Sequence, residues 1–418
     1  MSDNNKEQMD VDQKFCDCEI NEIDELKTPV YAFTSLGKDA FKALLSAMEI
    51  HLKEEILMNI LSRLPVRSLV HFKCVSKFWK TLISDPYFKK KHLSHAKNDP
   101  NSQKLLVSQS SLYKDDMYTF CCPLSSVQLV EDVQKLDFPL NFKPLGCFLF
   151  CCCDGLFFLS VYDGLDEHLL LWNPSTREST VLPHPERPCR YDCTYGFGYD
   201  ATSDDYKILK IDGPNGYEMS YEIFTLKSGS WRNIDKNHNV IMFVPTHAIP
   251  VMDSFAFVHG AFHWLGITSF SGFTVVSFSV SNEVYGEVTL LEQMRDTSGI
   301  QHDRIAISVL GGMLCYHSSQ YNCQQEEGTF KLWIMKEYGV EESWTQLFTI
   351  REPGLSSVIP KYRFGNGEVL LSCGYSWGYG LIFRTSRGKF GSWPQCDADI
   401  YQEGFTYTES LISPVLLT

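Results

Sequence analysis

The sequence predicts a multidomain α+β protein in which a small helical domain precedes a large all-β, propeller-like domain. Apolar residues recur at helical spacing in residues 49–95. Residues 105–415 instead hold many short runs of Val, Ile, Phe, Tyr and Leu that are separated by turn-forming residues. The chain has 418 residues and is 44% hydrophobic, so it can bury a core in each part.

Residues 1–48 are predicted to form an acidic, mostly disordered extension. Residues 1–27 carry nine acidic groups and three lysines, which gives a net charge of −6. The spacing of four apolar residues also fits a short amphipathic helix over residues 38–48: Phe41, Leu44, Leu45 and Met48.

Residues 49–95 are predicted to form three or four short helices. The first carries its apolar residues at i, i+1, i+4, i+5 and i+8, the pattern of one helix face: Ile56, Leu57, Ile60, Leu61 and Leu64. Pro65 is expected to end this helix, because it lacks an N–H and restricts the residue before it. A second helix is predicted from about Arg67. Ser76 is expected to cap a third, and Pro86 to begin a last one.

This helical block is too small to be stable alone, which predicts a binding partner. Domains of about 40 residues usually depend on metals, disulfides or association. Residues 53–97 also carry ten basic and three acidic groups, a net charge of +7, so the partner is expected to be acidic. Packing of the same apolar residues against the β domain is equally compatible with their periodicity.

Residues 96–104 are predicted to be a linker, and residues 105–415 a single β domain. The predicted strands are short and regularly spaced: Gly155–Val161, Leu169–Trp172, Tyr206–Ile211, Glu222–Leu226, Phe255–His259, Thr274–Val280, Ile305–Leu310, Lys331–Met335 and Glu368–Ser372. Seven of the eight tryptophans lie in this domain, several of them beside a polar turn. This weak repeat predicts about six to eight propeller blades of roughly 40–50 residues each.

No motif in the sequence predicts catalysis, a metal or a cofactor. The segment Gly196-Phe197-Gly198-Tyr199-Asp200-Ala201 matches G-x-G-x-x-A, but the polar residues after it predict a β-turn and not the helix of a dinucleotide site. His259 and His263 have the spacing of zinc ligands on a helix, whereas their glycine and aromatic neighbours predict a strand and a turn. His92 and His95 are expected to be solvated.

The charge distribution argues against nucleic acid as a partner. The formal net charge is −14. Lys89, Lys90 and Lys91 are predicted to form a solvated helix face, since no aromatic stacking residues are interleaved with them.

The fifteen cysteines are expected to be reduced, mostly buried thiols. They occur as Cys121-Cys122, Cys151-Cys152-Cys153 and scattered single residues, and no C-x-x-C pair is present. The N-terminus has no signal-peptide pattern, and the most apolar stretch is interrupted by Asp154-Gly155. These features predict a protein of the cytoplasm and/or nucleus that does not enter a membrane.

The helical block resembles the F-box of plant F-box proteins. The resemblance rests on residues 56–69 and 72–88, although Leu52-Lys53 stands where the family usually has Leu-Pro. It implies that the block docks on a small Skp-type adaptor, which bridges to a cullin. The implied contacts are Leu52, Leu64, Pro65, Leu69, Val75 and Trp79, with Lys73 and Lys77 on a basic rim. For any single leucine, packing within the F-box itself is an equal alternative.

The β domain resembles the F-box-associated, kelch-type domain of the same proteins, including the S-locus F-box group. The segments that carry this resemblance are residues 153–156, 171–177, 195–200, 205–208, 258–264 and 407–411. Together the two resemblances imply a non-catalytic substrate-recognition subunit of an SCF-type (Skp–cullin–F-box) ubiquitin ligase, which tethers an unidentified target protein. Two alternatives stay open: a propeller-type enzyme with an unrecognised site, and an F-box binding module that acts outside a ligase.

Overall fold

The chain folds as two compact units, Met1–Asn98 and Asp99–Thr418. The computed structural model describes residues 54–111, 117–125, 132–137, 144, 146–186, 193–212, 220–234, 241–242, 255–268, 272–295, 304–322, 324–376, 381–386, 388 and 400–416. The described part of the first unit is helical and that of the second is almost entirely β, which confirms the predicted fold class. The predicted acidic extension and its amphipathic helix lie outside the described residues.

The described part of the first unit contains four short helices: α1 (Glu54–Leu61), α2 (Val66–Lys73), α3 (Lys77–Ser84) and α4 (Pro86–Asn98). Ser76 caps α3 as predicted, since its hydroxyl accepts a hydrogen bond from the Trp79 N–H at 3.3 Å. Asp85 does the same for α4, because its Oδ1 accepts from the N–H groups of Tyr87 and Phe88 at 2.9 and 3.1 Å. Polar side chains therefore satisfy the first N–H groups of both helices.

Two predicted boundaries differ from the structure. α1 ends at Leu61, in a turn whose Leu64 N–H donates to the Leu61 carbonyl at 2.9 Å. Pro65 therefore does not end α1; it is the N-cap of α2, a position that tolerates its fixed φ and missing N–H. α4 extends to Asn98 and β1 begins at Gln103, so the segment between them spans residues 99–102, whereas the linker was predicted over residues 96–104.

The four helices surround a small apolar core of their own. Its members are Leu57, Leu61, Val66, Leu69, Trp79, Leu82, Ile83, Phe88, Leu93 and Ala96. Phe72 of α2 packs against Trp79 of α3, with ring centroids 6.2 Å apart. This core is built from one side of each helix, which leaves other apolar residues to face outward.

In the described residues, the second unit is a β propeller of six antiparallel blades. Blade 1 contains β1 (Gln103–Ser111), β2 (Met117–Pro123) and β3 (Gln134–Leu136), and blade 2 contains β4 (Gly146–Cys153), β5 (Leu156–Tyr162), β6 (Glu167–Asn173) and β7 (Glu178–Leu182). Blade 3 contains β8 (Cys193–Asp200), β9 (Asp205–Asp212), β10 (Tyr221–Thr225) and β11 (Ser230–Asn233). Blade 4 contains β12 (Ile241–Met242), β13 (Ala256–Val258), β14 (Ala261–Thr268), β15 (Gly272–Ser279) and β16 (Tyr285–Val288).

The remaining strands complete the ring. A short helix α5 (Glu292–Arg295) leads into blade 5, which contains β17 (Arg304–Leu310), β18 (Met313–Asn322), β19 (Glu327–Met335) and β20 (Trp344–Pro353). Blade 6 contains β21 (Leu355–Arg363), β22 (Val369–Tyr375) and β23 (Leu381–Thr385), and β24 (Ile400–Thr408) returns to blade 1. Every predicted strand overlaps one of these strands, and six blades is the lower bound of the predicted range.

β24 closes the propeller by pairing with β1. The two strands run antiparallel with Gln103 opposite Thr408 and Ser111 opposite Ile400. β24 is the inner strand of blade 1, since it lies next to β4 and β21 of the two adjacent blades. The last strand of the chain and the first three therefore form one blade.

The propeller has two ends with different connections. We letter the strands of each blade A to D from the inner edge outward. At the AB end, strands A and B join through tight turns: residues 154–155, 201–204, 259–260 and 311–312. At the opposite BC end, strands B and C join, as at residues 163–166, and the chain passes from one blade to the next. Connecting segments of this kind are where binding residues concentrate.

Candidate functional site

The outer face of α1 carries an exposed apolar strip. Leu57 and Leu61 face the core and are 8% and 5% exposed, whereas Ile56 and Ile60 are 42% and 54% exposed. Residues four apart lie on the same face of a helix, so the two isoleucines are neighbours on the surface. An exposed apolar strip on a helix is typical of a surface on which another protein docks.

More apolar side chains are exposed at the α2–α3 corner and at the start of α4. Val75 is 42%, Phe78 56% and Tyr87 65% exposed. The Phe78 ring meets the buried Trp79 ring edge to face, with centroids 5.6 Å apart, and this contact orients it. We call Ile56, Ile60, Val75, Phe78 and Tyr87 the exposed apolar set.

The segment that bears the exposed apolar set is basic. Residues 54–98 contain nine basic and three acidic groups. Six of the basic side chains are exposed: Arg63, Arg67, Lys77, Lys80, Lys90 and Lys97. A surface that is both apolar and basic complements an acidic partner with an apolar binding surface.

The structure divides the predicted adaptor contacts between surface and core. Five are exposed or half-buried: Leu64, Pro65, Lys73, Val75 and Lys77. Leu69 is fully buried and Trp79 is 7% exposed, so both pack inside the helical unit. Packing within the helical block was the predicted alternative for any single leucine. It holds for Leu69, and also for Trp79. Leu52 lies outside the described residues.

The sequence did not single out Ile56, Ile60, Phe78 and Tyr87 as contacts. The apolar pattern of α1 covers two adjacent stripes, and periodicity does not tell which stripe faces the core. The apolar pattern of α1 could nevertheless have predicted an exposed strip. It covers two stripes of the helix, and a block of a few short helices has too little apolar surface to bury both.

Two residues of α4 that were predicted to be solvated are buried. His92 is 2% exposed, and its Nε2 shares a hydrogen bond with the Leu64 carbonyl at 3.0 Å. Burial lowers the pKa of His92, although the hydrogen bond opposes this shift. Lys89 is also buried. The prediction failed because α4 packs this face against the turn that follows α1.

The G-x-G-x-x-A segment leads into a β-turn as predicted, and its glycines serve packing, which the sequence did not predict. Gly196 and Gly198 lie within β8, and a turn at residues 201–204 follows instead of a helix. A Cβ atom at Gly196 would stand 2.8 Å from the Phe262 ring, and one at Gly198 would overlap Phe257. Glycine at these positions lets blades 3 and 4 approach each other closely.

His259 and His263 lie in a turn and a strand, which confirms the prediction. His263 is fully buried in β14, where its Nδ1 bonds the Ala256 carbonyl at 3.3 Å and its Nε2 bonds the Tyr338 hydroxyl at 2.7 Å. His259 has a φ of +53°. Within the described part of the chain, no group of three or more His, Cys, Asp or Glu residues is placed to hold a metal ion.

The cysteines of the described residues are mostly thiols. Nine are free, and burial raises the pKa of Cys121 to about 11 and that of Cys315 to about 12. Cys193 is disulfide-bonded, so the prediction of reduced thiols is wrong at this position.

None of the helices that the structure describes is long and apolar enough to cross a membrane.

Comparison with known proteins accounts for both units. Residues 51–91 match the F-box domain, and residues 108–374 match the F-box associated beta propeller domain. The chain is 29% identical over 324 residues to the F-box protein CPR1 of Arabidopsis thaliana, covering 72% of this chain and 73% of that protein. It is 25% identical over 378 residues to the F-box/kelch-repeat protein At3g23880 of the same plant, covering 86% and 95%. TolB from Acinetobacter baumannii aligns with a TM-score of 0.42 and 10% identity over 77% of this chain and 73% of that one.

Proposed function

Because the chain belongs to the plant F-box proteins that carry an F-box associated β propeller, we propose that it is the substrate-recognition subunit of an SCF-type ubiquitin ligase. In this proposal the helical unit binds a small Skp-type adaptor, which bridges to a cullin, while the propeller holds the target protein. The chain itself is an adaptor without catalytic activity, and it acts in the cytoplasm and/or nucleus.

The outward strip formed by Ile56 and Ile60 is the observation that supports adaptor binding most directly. Complete burial of a large apolar side chain contributes roughly 1.5–3 kcal/mol. Ile60 and Phe78 are about half exposed, so each still offers about 1 kcal/mol when a partner covers it. The net positive charge of the same segment favours an acidic adaptor and speeds its encounter.

The function follows from proximity. A target held on the propeller and an activated ubiquitin held by the ligase become parts of one complex. The encounter of a target lysine with the ubiquitin thioester then becomes intramolecular, and its effective concentration rises. The specificity of the reaction thus depends on what the propeller binds.

Adaptor binding is tested with the full chain and an immobilised Skp-type adaptor. We expect Ile56→Asp with Ile60→Asp to weaken binding by at least about 100-fold, since two charges would enter an apolar interface. The melting temperature should stay that of the unchanged chain, because both side chains are on the surface. Retained adaptor binding by this variant would refute the proposed interface.

A matched control uses exposed apolar residues of the propeller. Leu165 and Val284 are 87% and 57% exposed, and Leu165→Asp with Val284→Asp introduces the same two charges. This control should bind the adaptor with unchanged affinity.

Capture of a cullin separates a ligase subunit from an F-box module that acts elsewhere. When adaptor and cullin are both supplied, we expect the unchanged chain to retain cullin and the Ile56→Asp, Ile60→Asp variant to lose it. A chain that binds the adaptor but never cullin would support the second function.

A further inference from the structure

An exposed tyrosine is held in place at the AB end of blades 4 and 5. Tyr338 is 40% exposed in the turn between β19 and β20, which lies at this end because neighbouring strands of the blade are antiparallel. Its hydroxyl shares a 2.7 Å hydrogen bond with Nε2 of His263, which is fully buried in β14. The exposed His259 lies against the tyrosine ring, with ring centroids 4.5 Å apart. Two contacts with blade 4 therefore fix an exposed aromatic ring of blade 5.

The turn that carries Tyr338 is also held by its own hydrogen bonds. The Val340 N–H donates to the Glu337 carbonyl and the Ser343 N–H donates to the Val340 carbonyl, each at 3.1 Å. The Ser343 hydroxyl donates to the Val340 carbonyl at 2.7 Å and accepts from the Glu337 N–H at 3.1 Å. Val340 is 41% exposed. A partner that binds this turn therefore loses little affinity to the ordering of the chain.

The same turn is acidic. Residues 336–343 contain three glutamates and one lysine, a formal net charge of −2, and the structure describes all eight residues. Glu337 and Glu342 are exposed, and neither forms an ion pair with a described residue. The turn thus has the charge opposite to that of the helical unit. An acidic surface with an exposed aromatic ring suits a basic partner, and it disfavours the acidic adaptor that the helical unit is proposed to bind.

The AB turns of blades 4 and 5 leave room for the backbone of a partner. Gly260 follows His259 in the turn of blade 4, and Gly311 and Gly312 form the turn of blade 5. A Cβ atom added to any of these glycines would meet nothing within 4 Å beyond its chain neighbours. An extended chain can therefore approach these turns closely.

From these observations we infer that this surface binds an extended segment of the target protein that carries arginine beside an apolar residue. We call it the Tyr338 patch, and its members are His259, Glu337, Tyr338, Val340 and Glu342. The planar guanidinium of the target stacks on the Tyr338 ring, and the glutamates accept its N–H groups. The apolar neighbour of the arginine covers Val340. This inference rests on the proposed role of the chain as a substrate receptor.

The inference is tested by fluorescence anisotropy with the full chain bound to its adaptor. The probes are three labelled peptides in which leucine alternates with arginine, lysine or glutamate. We expect the arginine peptide to bind at least about tenfold more tightly than the glutamate peptide, because the patch is acidic. It should bind about threefold more tightly than the lysine peptide, because a planar guanidinium stacks on an aromatic ring and an ammonium group does not.

Two variants separate the charge of the patch from its ring. Glu337→Lys with Glu342→Lys should remove the preference for arginine over glutamate. Tyr338→Leu should remove the preference for arginine over lysine, since it keeps an apolar side chain and loses the ring. Melting temperatures are measured for both. If loss of the hydrogen bond to His263 unfolds the Tyr338→Leu variant, the two surface glutamates decide the result.

Matched controls make the same changes at the BC end. Glu326 and Glu327 are exposed where β18 and β19 of the same blade join, and Glu326→Lys with Glu327→Lys reverses the same number of charges. Tyr162 is 45% exposed at the end of β5, so Tyr162→Leu removes a comparable ring. Both controls should keep the peptide preferences of the unchanged chain.

Equal affinity for the arginine and glutamate peptides would overturn the inference, and so would an unchanged preference in the Glu337→Lys, Glu342→Lys variant. Equal affinity for the arginine and lysine peptides would overturn the role given to the Tyr338 ring. A dimer of the unchanged complex in sedimentation, lost in the double-lysine variant, would assign the patch to a second copy of the chain and not to a target. Adaptor capture is measured on the same samples, so a failed patch with intact capture leaves the proposed function standing.

Discussion

Phe78 and Trp79 are neighbours in α3 whose rings meet edge to face at 5.6 Å, yet they serve opposite sides of the helical unit. Trp79 is 7% exposed and belongs to the core, whereas Phe78 is 56% exposed. Trp79 therefore contributes to the stability of the helical unit, whereas its neighbour Phe78 is available for binding a partner.

Replacing Trp79 tests the core. We expect Trp79→Ala to lower the free energy of unfolding of the helical unit by about 3–5 kcal/mol, because it leaves a large cavity. Hydrogen exchange of residues 54–98 in the full chain measures the effect. Adaptor binding should fall with it. Phe78→Ala is the matched control: exchange should change little, while adaptor affinity should drop about tenfold or more. Unchanged exchange in Trp79→Ala would contradict the buried position of this residue.

Replacing Asn173 tests how blade 2 is tied to the segment that follows β24. Asn173 is fully buried, and its Nδ2 donates to the carbonyls of Ser410 and Ile412 at 3.0 and 2.8 Å. Asn173→Ala leaves both carbonyls without this donor, so we expect a loss of about 2–4 kcal/mol in the stability of the propeller. Urea unfolding followed by tryptophan fluorescence measures it. The exposed Asn282→Ala should stay within about 0.5 kcal/mol of the unchanged chain, and a similar small effect at Asn173 would contradict the prediction.

Replacing Lys210 tests a buried ion pair of blade 3, in which the Lys210 Nζ lies 2.9 Å from Glu222 Oε2 and neither side chain is exposed. Lys210→Met removes the ammonium group and leaves the carboxylate of Glu222 buried without its cation. We expect a destabilisation of about 3–5 kcal/mol, measured by thermal and urea unfolding. Lys227, whose Nζ donates to the Ser203 carbonyl at 2.8 Å on the surface, provides the control. A loss for Lys210→Met no larger than that for Lys227→Met would show that Glu222 does not depend on its partner.

Acid should destabilise the propeller through two buried histidines. Burial lowers the pKa of His263 to about 4 and that of His317 to about 3, from an ordinary value of 6.5. The unfolded chain therefore takes up protons first as the pH falls below 6.5, so the stability present above that pH is lost. Between pH 7.5 and pH 5 each histidine should cost roughly 2 kcal/mol.

Urea unfolding over this pH range measures the slope, and His317→Gln should reduce it because glutamine does not titrate. The fold of that variant is checked at pH 7.5, where the histidine is neutral. A slope identical to that of the unchanged chain would mean that His317 does not carry the pH dependence.

Local chemistry made much of the fold predictable. Ser76 marked the start of α3 because its hydroxyl can reach a free N–H, and this depends only on neighbouring residues. The hairpin turns of the blades also depend only on neighbouring residues. At Asp154-Gly155 and Gly311-Gly312 all four residues have a positive φ, which favours glycine and is tolerated by aspartate.

Features that depend on distant residues were not predictable from the sequence. No feature of the residues around Gln103 indicates that β1 pairs with β24, which lies some 300 residues later in the sequence. The same limit applies to α1, where only tertiary packing decides that Leu57 faces the core and Ile56 faces outward. The buried ion pair of Lys210 and Glu222 was not predicted, because charged residues in a strand usually face water.

The pairing of β24 with β1 has a consequence for biosynthesis. The described helices and β1–β23 are synthesised before residues 400–408 exist, so the ring stays open until β24 has been made and has left the ribosome. A chain that terminates early keeps its N-terminal unit but leaves the inner edge of β1 unpaired, and such an edge invites aggregation and degradation. Degradation would then remove truncated chains that still carry the helical unit but lack a closed propeller.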